Sequence, residues 1–406
     1  MTHWLQEPPP TAGLPLSWRD FVKGSASLEH DLATFTGQID AQIECSGTAA
    51  ILVALTTLKR MSIRRNVVIP AYTCPLVPLA ILRCGLKPVL CDTKPNHFDL
   101  CPESLKAVCD EETLAVISTH LGGRVADIKS TTDIATQVGA YVVEDAAQAL
   151  GANWQGQAVG TVGDIGCFSL GVGKGLTIYG GGAVVARDKN MRHQLRTTSA
   201  ELASSKSTWH HIMWEARRLL ELAGYYALYR PSGLKLAFGL ALRRNLKKNK
   251  FIEAAGDDCS ADFPLHRVGL LRKTIGASAL KRLPDFIANT SKQALRRKSL
   301  LSNIPGIIVM DDNIGDVGTW PYFLVLMPTQ ATRDLALSKL WAARLGVGRL
   351  FIHALADYPY LTSAFDSSDT PNASDFAART LTISNSLWLN EDDFMHICIV
   401  LEQSVA

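Results

Sequence analysis

Between residues 45 and 190 short apolar runs alternate with stretches of helical period, and few chain architectures accommodate that rhythm. Val67-Val68-Ile69, Pro88-Val89-Leu90, Leu114-Ala115-Val116-Ile117 and Tyr141-Val142-Val143 are continuous apolar runs, the form taken by strands buried on both faces. The spacers at 48–60, 75–84, 102–108 and 128–138 carry helical patterns. Strands separated by helices predict an α/β fold with a mostly parallel sheet between helices. Residues 165–170 and 182–186 add two further strands, and Trp154-Gln155-Gly156-Gln157 predicts a short hairpin turn.

The rest of the chain has a different texture. Residues 190–262 carry few strand signals. Their runs at 219–229 and 234–242 are nearly all apolar, and Arg243-Arg244, Lys247-Lys248 and Lys250 follow. Neither run reaches the roughly 18–20 residues of a membrane span. One reading is a helical insertion packed on the body or on a partner subunit; the other is peripheral membrane contact through 209–250. Beyond 262, strand patterns at 306–310 and 322–326 mix with helical patterns at 275–287, 332–345 and 391–403, which predicts a smaller α+β domain. The expected division is 1–189, a large α/β domain; 190–262, a helical insertion; and 263–406, the C-terminal domain. A net charge of +3 gives no signature of nucleic-acid binding. The nine cysteines form no C-x-x-C pair, and no metal-ligand spacing occurs, so no metal is expected and the cysteines read as core residues of a reducing compartment. The first 18 residues lack a basic stretch leading into an apolar run, so a cytoplasmic location is expected.

The candidate chemistry centres on Lys174, in the tight run Gly171-Val172-Gly173-Lys174-Gly175. Upstream, the apolar strand at 141–145 closes on Glu144-Asp145. A loop lysine after a buried strand-end aspartate suits pyridoxal 5'-phosphate: the amine holds the aldehyde as a Schiff base, and the carboxylate keeps the pyridine nitrogen protonated. A solvated loop lysine and a helix-capping or magnesium-binding aspartate are the plainer readings of each residue alone. A nucleotide phosphate loop is excluded, because Phe168 stands where its first glycine belongs and Gly175 follows the lysine. Gly47 and Thr48 open a helix, where free N–H groups suit a phosphate, and Ser169 is a second hydroxyl donor. Gln148 lies one turn beyond Asp145, within reach of the ring's phenolic oxygen.

Taken together these elements resemble the DegT/DnrJ/EryC1/StrS family, the sugar aminotransferases of fold type I. The resemblance rests on Cys45 to Ala50, Ile69-Pro70-Ala71-Tyr72-Thr73, Thr119-His120-Leu121-Gly122-Gly123, Glu144 to Gly151, Phe168-Ser169 to Lys174, and Gly181-Gly182. It implies a pyridoxal phosphate-dependent transaminase with Lys174 as the Schiff-base lysine and Asp145 as the pyridinium partner. It places Gln148 near the phenolic oxygen and Gly47, Thr48 and Ser169 around the phosphate. It implies glutamate or glutamine as amino donor, a keto-sugar acceptor carried on a nucleotide, and a homodimer with shared sites. Three positions depart from the family pattern: Cys74 replaces an aromatic ring beside the cofactor, for which Tyr72 is the substitute; Gly180 replaces a glutamate; and Leu265 replaces an asparagine. His120, Arg267, Arg349 and His353 are candidate substrate contacts. Two other outcomes are a sugar dehydratase, whose family members lack this lysine, and a cofactor-binding regulator or partner subunit without turnover.

Overall fold

The computed structural model describes residues 6–22, 27–366 and 369–406. In chain order its elements are α1 (Leu28–Thr36), β1 (Gln42–Glu44), α2 (Gly47–Met61), β2 (Asn66–Pro70), α3 (Leu76–Arg83), β3 (Lys87–Cys91), α4 (Pro102–Val108), β4 (Thr113–Thr119), α5 (Ile128–Gln137) and β5 (Tyr141–Asp145). There follow β6 (Asn153–Trp154), β7 (Gln157–Ala158), β8 (Ile165–Ser169), β9 (Gly182–Ala186), α6 (Lys189–Ser204), α7 (Thr208–Leu228), α8 (Pro231–Leu234), a π-helical turn (Lys235–Gly239), α9 (Leu240–Lys247) and α10 (Phe251–Ala255). The last part holds α11 (Leu270–Leu280), α12 (Leu283–Ser302), β10 (Ile308–Val309), β11 (Tyr322–Leu326), α13 (Gln330–Leu340), β12 (Val347–Gly348), α14 (Pro371–Arg379), β13 (Thr380–Ser384) and α15 (Glu391–Val405).

Seven strands form the main sheet in the order β1-β9-β8-β5-β4-β2-β3. The five from β8 to β3 run parallel, while β9 and β1 join antiparallel at one edge. Every residue of β4 and of β9 is buried, as expected for strands covered on both faces. The alternation of the sequence thus produces the mostly parallel sheet it predicts. Gln155 and Gly156 both have positive φ, which turns β6 tightly back onto β7.

A second, antiparallel sheet has the order β10-β11-β13-β12. Its strand β11 joins two cores by the period of two that all strands have. Tyr322, Leu324 and Leu326 pack into the core that also holds Leu58, Ile69, Ile117 and Phe376. Phe323 and Val325 face the core under α13 and α15, with Leu340, Phe394 and Leu401. Each fully buried side chain of this size contributes about 1.5–3 kcal/mol relative to exposure.

Several expectations need correction. The helical pattern at 275–287 is two helices, because Pro284 stands at the start of α12, where its missing N–H costs nothing. The strand expected at 306–310 is only two residues long. The helix expected at 332–345 spans Gln330–Leu340. Strand β1 has no counterpart in the sequence reading.

Residues 7–14 form a strap across the molecule. The Glu7 N–H donates to the Pro231 carbonyl at 2.8 Å, and Arg243 donates to the Glu7 carboxylate at 2.6 Å. The Ser384 hydroxyl donates to the Pro9 carbonyl at 2.6 Å, and the Ala12 N–H to the Pro321 carbonyl at 2.7 Å. Thr11 Oγ1 donates to the Gly173 carbonyl at 2.7 Å, and the Leu14 N–H to the Gly175 carbonyl at 3.1 Å. One short segment therefore ties the lysine loop, the helical insertion and the second sheet together.

Candidate active site

The C-terminal ends of the parallel strands converge where open α/β sheets bind ligands. Asp145 closes β5. The register sets it beside Thr119 of β4 and Cys167 of β8, two residues before Ser169. One Asp145 oxygen accepts from the Ala147 N–H at 3.2 Å; the other has no hydrogen-bond partner among the described residues. Burial raises the Asp145 pKa, against the opposing pull of the Ala147 N–H and the Lys174 charge.

Lys174 sits in a loop that turns at Gly173, where φ is +77°, a conformation glycine adopts without strain. Its amine has no hydrogen-bond or ion-pair partner among the described residues. Burial lowers its pKa, while Cys74 and Asp145 pull it back up. Amine and carboxylate thus lie within electrostatic reach of each other. Cys74 lies in the same field, and burial pushes its thiol up to about 12, so it stays neutral.

The helix α2 begins at this edge. Ser46 caps it by accepting from the Ala49 N–H at 3.0 Å, which leaves the N–H groups of Gly47 and Thr48 outward and unbonded among the described residues. A Cβ on Gly47 would sit 2.9 Å from Ser169 Cβ, so only glycine lets the helix start this close to the serine. Ser169 Oγ accepts from the Gly171 N–H at 3.3 Å, which leaves its own proton free to donate. Gly47, with Thr48 next to it, and Ser169 thus bring free donors to one corner.

Gln148 borders a cavity of about 270 Å³ together with Lys174, Tyr229, Phe238 and Tyr322. Its side-chain oxygen accepts from the Gly122 N–H at 2.9 Å and from the Tyr322 hydroxyl. Pyridoxal phosphate fits the residues present. An unpaired amine, a buried carboxylate with one free oxygen and a helix-start cradle supply a partner for each of its aldehyde, ring nitrogen and phosphate.

Two expected contacts are corrected. Tyr72 is 1% exposed and packs edge-on against Phe351 and Phe376, at 5.5 and 5.1 Å between ring centroids, so it belongs to the core and does not take the place of a ring beside the cofactor. His120 is also buried. Its Nδ1 accepts from the Ala126 N–H at 3.0 Å, and its Nε2 therefore donates to Glu144 at 3.0 Å, which leaves no nitrogen for a substrate. Arg267 is exposed, with its backbone N–H donating to His211, and reaches no cavity described here. Arg349 lines a neighbouring cavity of about 200 Å³ that shares Pro10, Thr11, Phe238, Tyr322 and Leu350 with the first. Its Nη2 donates to the Ile352 and Ala377 carbonyls at 2.5 and 2.7 Å, while its Nε is buried without a partner. His353 packs edge-on against Tyr358.

Other residues went unread in the sequence. Glu144, next to Asp145, accepts from the N–H groups of Gly160, Val162 and Gly163 at 2.8, 2.7 and 2.7 Å, besides His120. Burial raises its pKa, yet the hydrogen bonds win and hold it below the ordinary carboxylate value. A carboxylate depressed on folding adds stability above its unfolded pKa, and that stability is lost as pH falls through the folded value. Glu144→Gln turns an amide N–H₂ toward donors and should cost about 2–3 kcal/mol. Urea unfolding at neutral pH measures the loss, and the difference from the parent protein should shrink as acid protonates Glu144. Arg272, fully buried, is the other such residue: it donates to the Gly180 carbonyl and pairs with Glu215 of α7 at 2.6 Å. It thereby anchors the exit of the lysine loop to the insertion.

A family model for the DegT/DnrJ/EryC1/StrS aminotransferase family matches residues 17–228 and 268–402. The pleiotropic regulatory protein of Geobacillus stearothermophilus is 33% identical over 50% of this chain and 54% of its own length. The UDP-N-acetyl-3-dehydro-alpha-D-glucosamine 3-aminotransferase of Acidithiobacillus ferrooxidans is 34% identical over 47% of this chain and 52% of its own. The chain thus spans about half the length of these two relatives. Among solved structures, DesI in the presence of its TDP-sugar product shares the fold, with a TM-score of 0.74 at 20% identity over 99% of this chain and 93% of its own.

Proposed function

From the premise that this chain belongs to the DegT/DnrJ/EryC1/StrS aminotransferase family, we propose that it transfers an amino group from glutamate or glutamine to a keto-sugar carried on a nucleotide, with pyridoxal phosphate as cofactor. The observation that carries the reading is the half-buried, unpaired Lys174 amine within the field of Asp145. The 3-aminotransferase among the relatives, which acts on a UDP-linked sugar by its name, supports the acceptor class. When bound, pyridoxal phosphate supplies an electron sink and a temporary carrier for the amino group.

The chain's own residues do the rest. Desolvation favours the neutral form of Lys174. Its Nζ can therefore accept the proton from the α-carbon of the amino donor and later return one to the carbon of the acceptor. Asp145 stays ionised when its free oxygen accepts from the ring N–H, because that charge offsets its burial. Gly47, Thr48 and Ser169 would hold the phosphate. Gln148, fixed by Gly122 and Tyr322, would serve the phenolic oxygen. The strap and the insertion wall the cavity through Pro10, Thr11, Tyr229, Leu234 and Phe238. A homodimer is part of the same proposal, since the family resemblance implies sites built by two subunits.

The test is spectroscopic. Protein loaded with pyridoxal phosphate should lose its visible band when glutamine or glutamate is added, and nucleotide keto-sugars should restore it. A bound cofactor whose spectrum ignores every amino donor sinks the proposal and favours a regulator.

A further inference from the structure

The family model leaves residues 229–267 unmatched, and the same stretch roofs the cavity beside Lys174. From Leu222 to Ile252 the sequence carries seven Lys and Arg and no Asp or Glu. The remainder of the chain, with 34 cations against 38 carboxylates, sums to −4. Positive charge is therefore concentrated on this one element. Arg243 is spent on Glu7 and Lys250 on Glu253. Arg230, Arg244, Lys247 and Lys248 are exposed and have no ion pair among the described residues.

The roof has two faces. Leu234, Phe238 and Leu242 point inward, onto the two adjoining cavities. Leu236 and Leu240 point outward and are 63% and 54% exposed. Leu236, Leu240, Arg244 and Lys247 recur every three or four residues, the spacing of one helix face. Exposed leucines next to unpaired cations are what an interfacial helix presents to lipid. No described helix is long and apolar enough to cross a membrane, so the contact would be peripheral.

We propose that the outer face of residues 228–251 docks on an anionic lipid surface and so holds the mouth of the Lys174 cavity at the bilayer. Charge complementarity selects this occupant. A second copy meeting this face across a twofold axis would bring like charges together. A nucleic acid would use the cations and leave the leucines in water. The inference stands apart from the proposed transamination, since it concerns where the cavity opens and not what reacts there.

Co-sedimentation of the full chain with phosphatidylcholine vesicles, with and without phosphatidylglycerol, tests it. The protein should pellet with the anionic vesicles and be released by added salt. Lys247→Ala/Lys248→Ala should weaken partitioning about twenty-fivefold, at about fivefold per cation. Leu236→Ser/Leu240→Ser should weaken it too, without changing mass by light scattering. Equal retention on both vesicles, or retention on neither, overturns the proposal. So does a drop in oligomer mass for the leucine variant, which would place the face between copies.

Discussion

Lys174→Ala should abolish amino transfer, lowering turnover at least about a thousandfold, the scale of a lost acid-base group. The covalent attachment is lost as well. Borohydride reduction of the loaded parent protein should fix the cofactor's mass onto the peptide that holds Lys174, and the variant should gain none. The fold should tolerate the change, because the amine has no hydrogen-bond partner whose loss would orphan a buried group. The loop is held instead through its carbonyls, by Thr11 on Gly173 and Leu14 on Gly175. A variant that keeps parental turnover, or takes up the reduced cofactor at another lysine, would falsify the assignment.

Asp145→Asn should separate function from stability. An amide cannot balance a ring cation, so turnover should fall about a hundred- to a thousandfold, the cost of removing one preorganised electrostatic partner. Without cofactor the same change should stabilise the protein. The Asp145 pKa is raised in the folded state by burial, so the folded chain holds its proton at pH values where the unfolded chain has released it. Stability therefore falls as pH rises from the unfolded value through the folded one. The asparagine variant escapes that penalty at neutral pH, and its advantage should vanish in acid below the unfolded value. Thermal scans with and without pyridoxal phosphate measure both effects: the cofactor should raise the parental midpoint more than the variant's. A cofactor-free variant that melts earlier than the parent would show that Asp145 stabilises the empty site.

Much of this was legible before any coordinates. Strand β4 is buried on both faces, and its centre, Leu114-Ala115-Val116-Ile117, is accordingly an unbroken apolar run. The helix start and the lysine loop announce themselves through glycines: Gly47 lies too close to Ser169 for a side chain, and Gly173 turns at φ +77°. What escaped was the direction of side chains and the pairing of distant segments. Tyr72 stands beside the site in sequence, but its ring turns into the core toward Phe351 and Phe376. His120 looked available because nothing local reveals that Glu144, 24 residues away, accepts the hydrogen bond from its Nε2. Strand β1 is three residues long and only its last is fully buried, too short for a periodic signal. The grip of Tyr322 on Gln148 spans 174 residues, and only the fold brings those two together.

The strap has a bearing on biosynthesis. Pro9 meets Ser384, 375 positions later, so during synthesis this part of the strap waits for a distant segment before it can settle. The seam of Thr11 and Leu14 on the lysine loop needs only residues up to 175, whereas the clasp on Ser384 needs the second sheet. Contacts of such long separation form late. The strap thus fastens in two stages, first to the lysine loop and then to the second sheet.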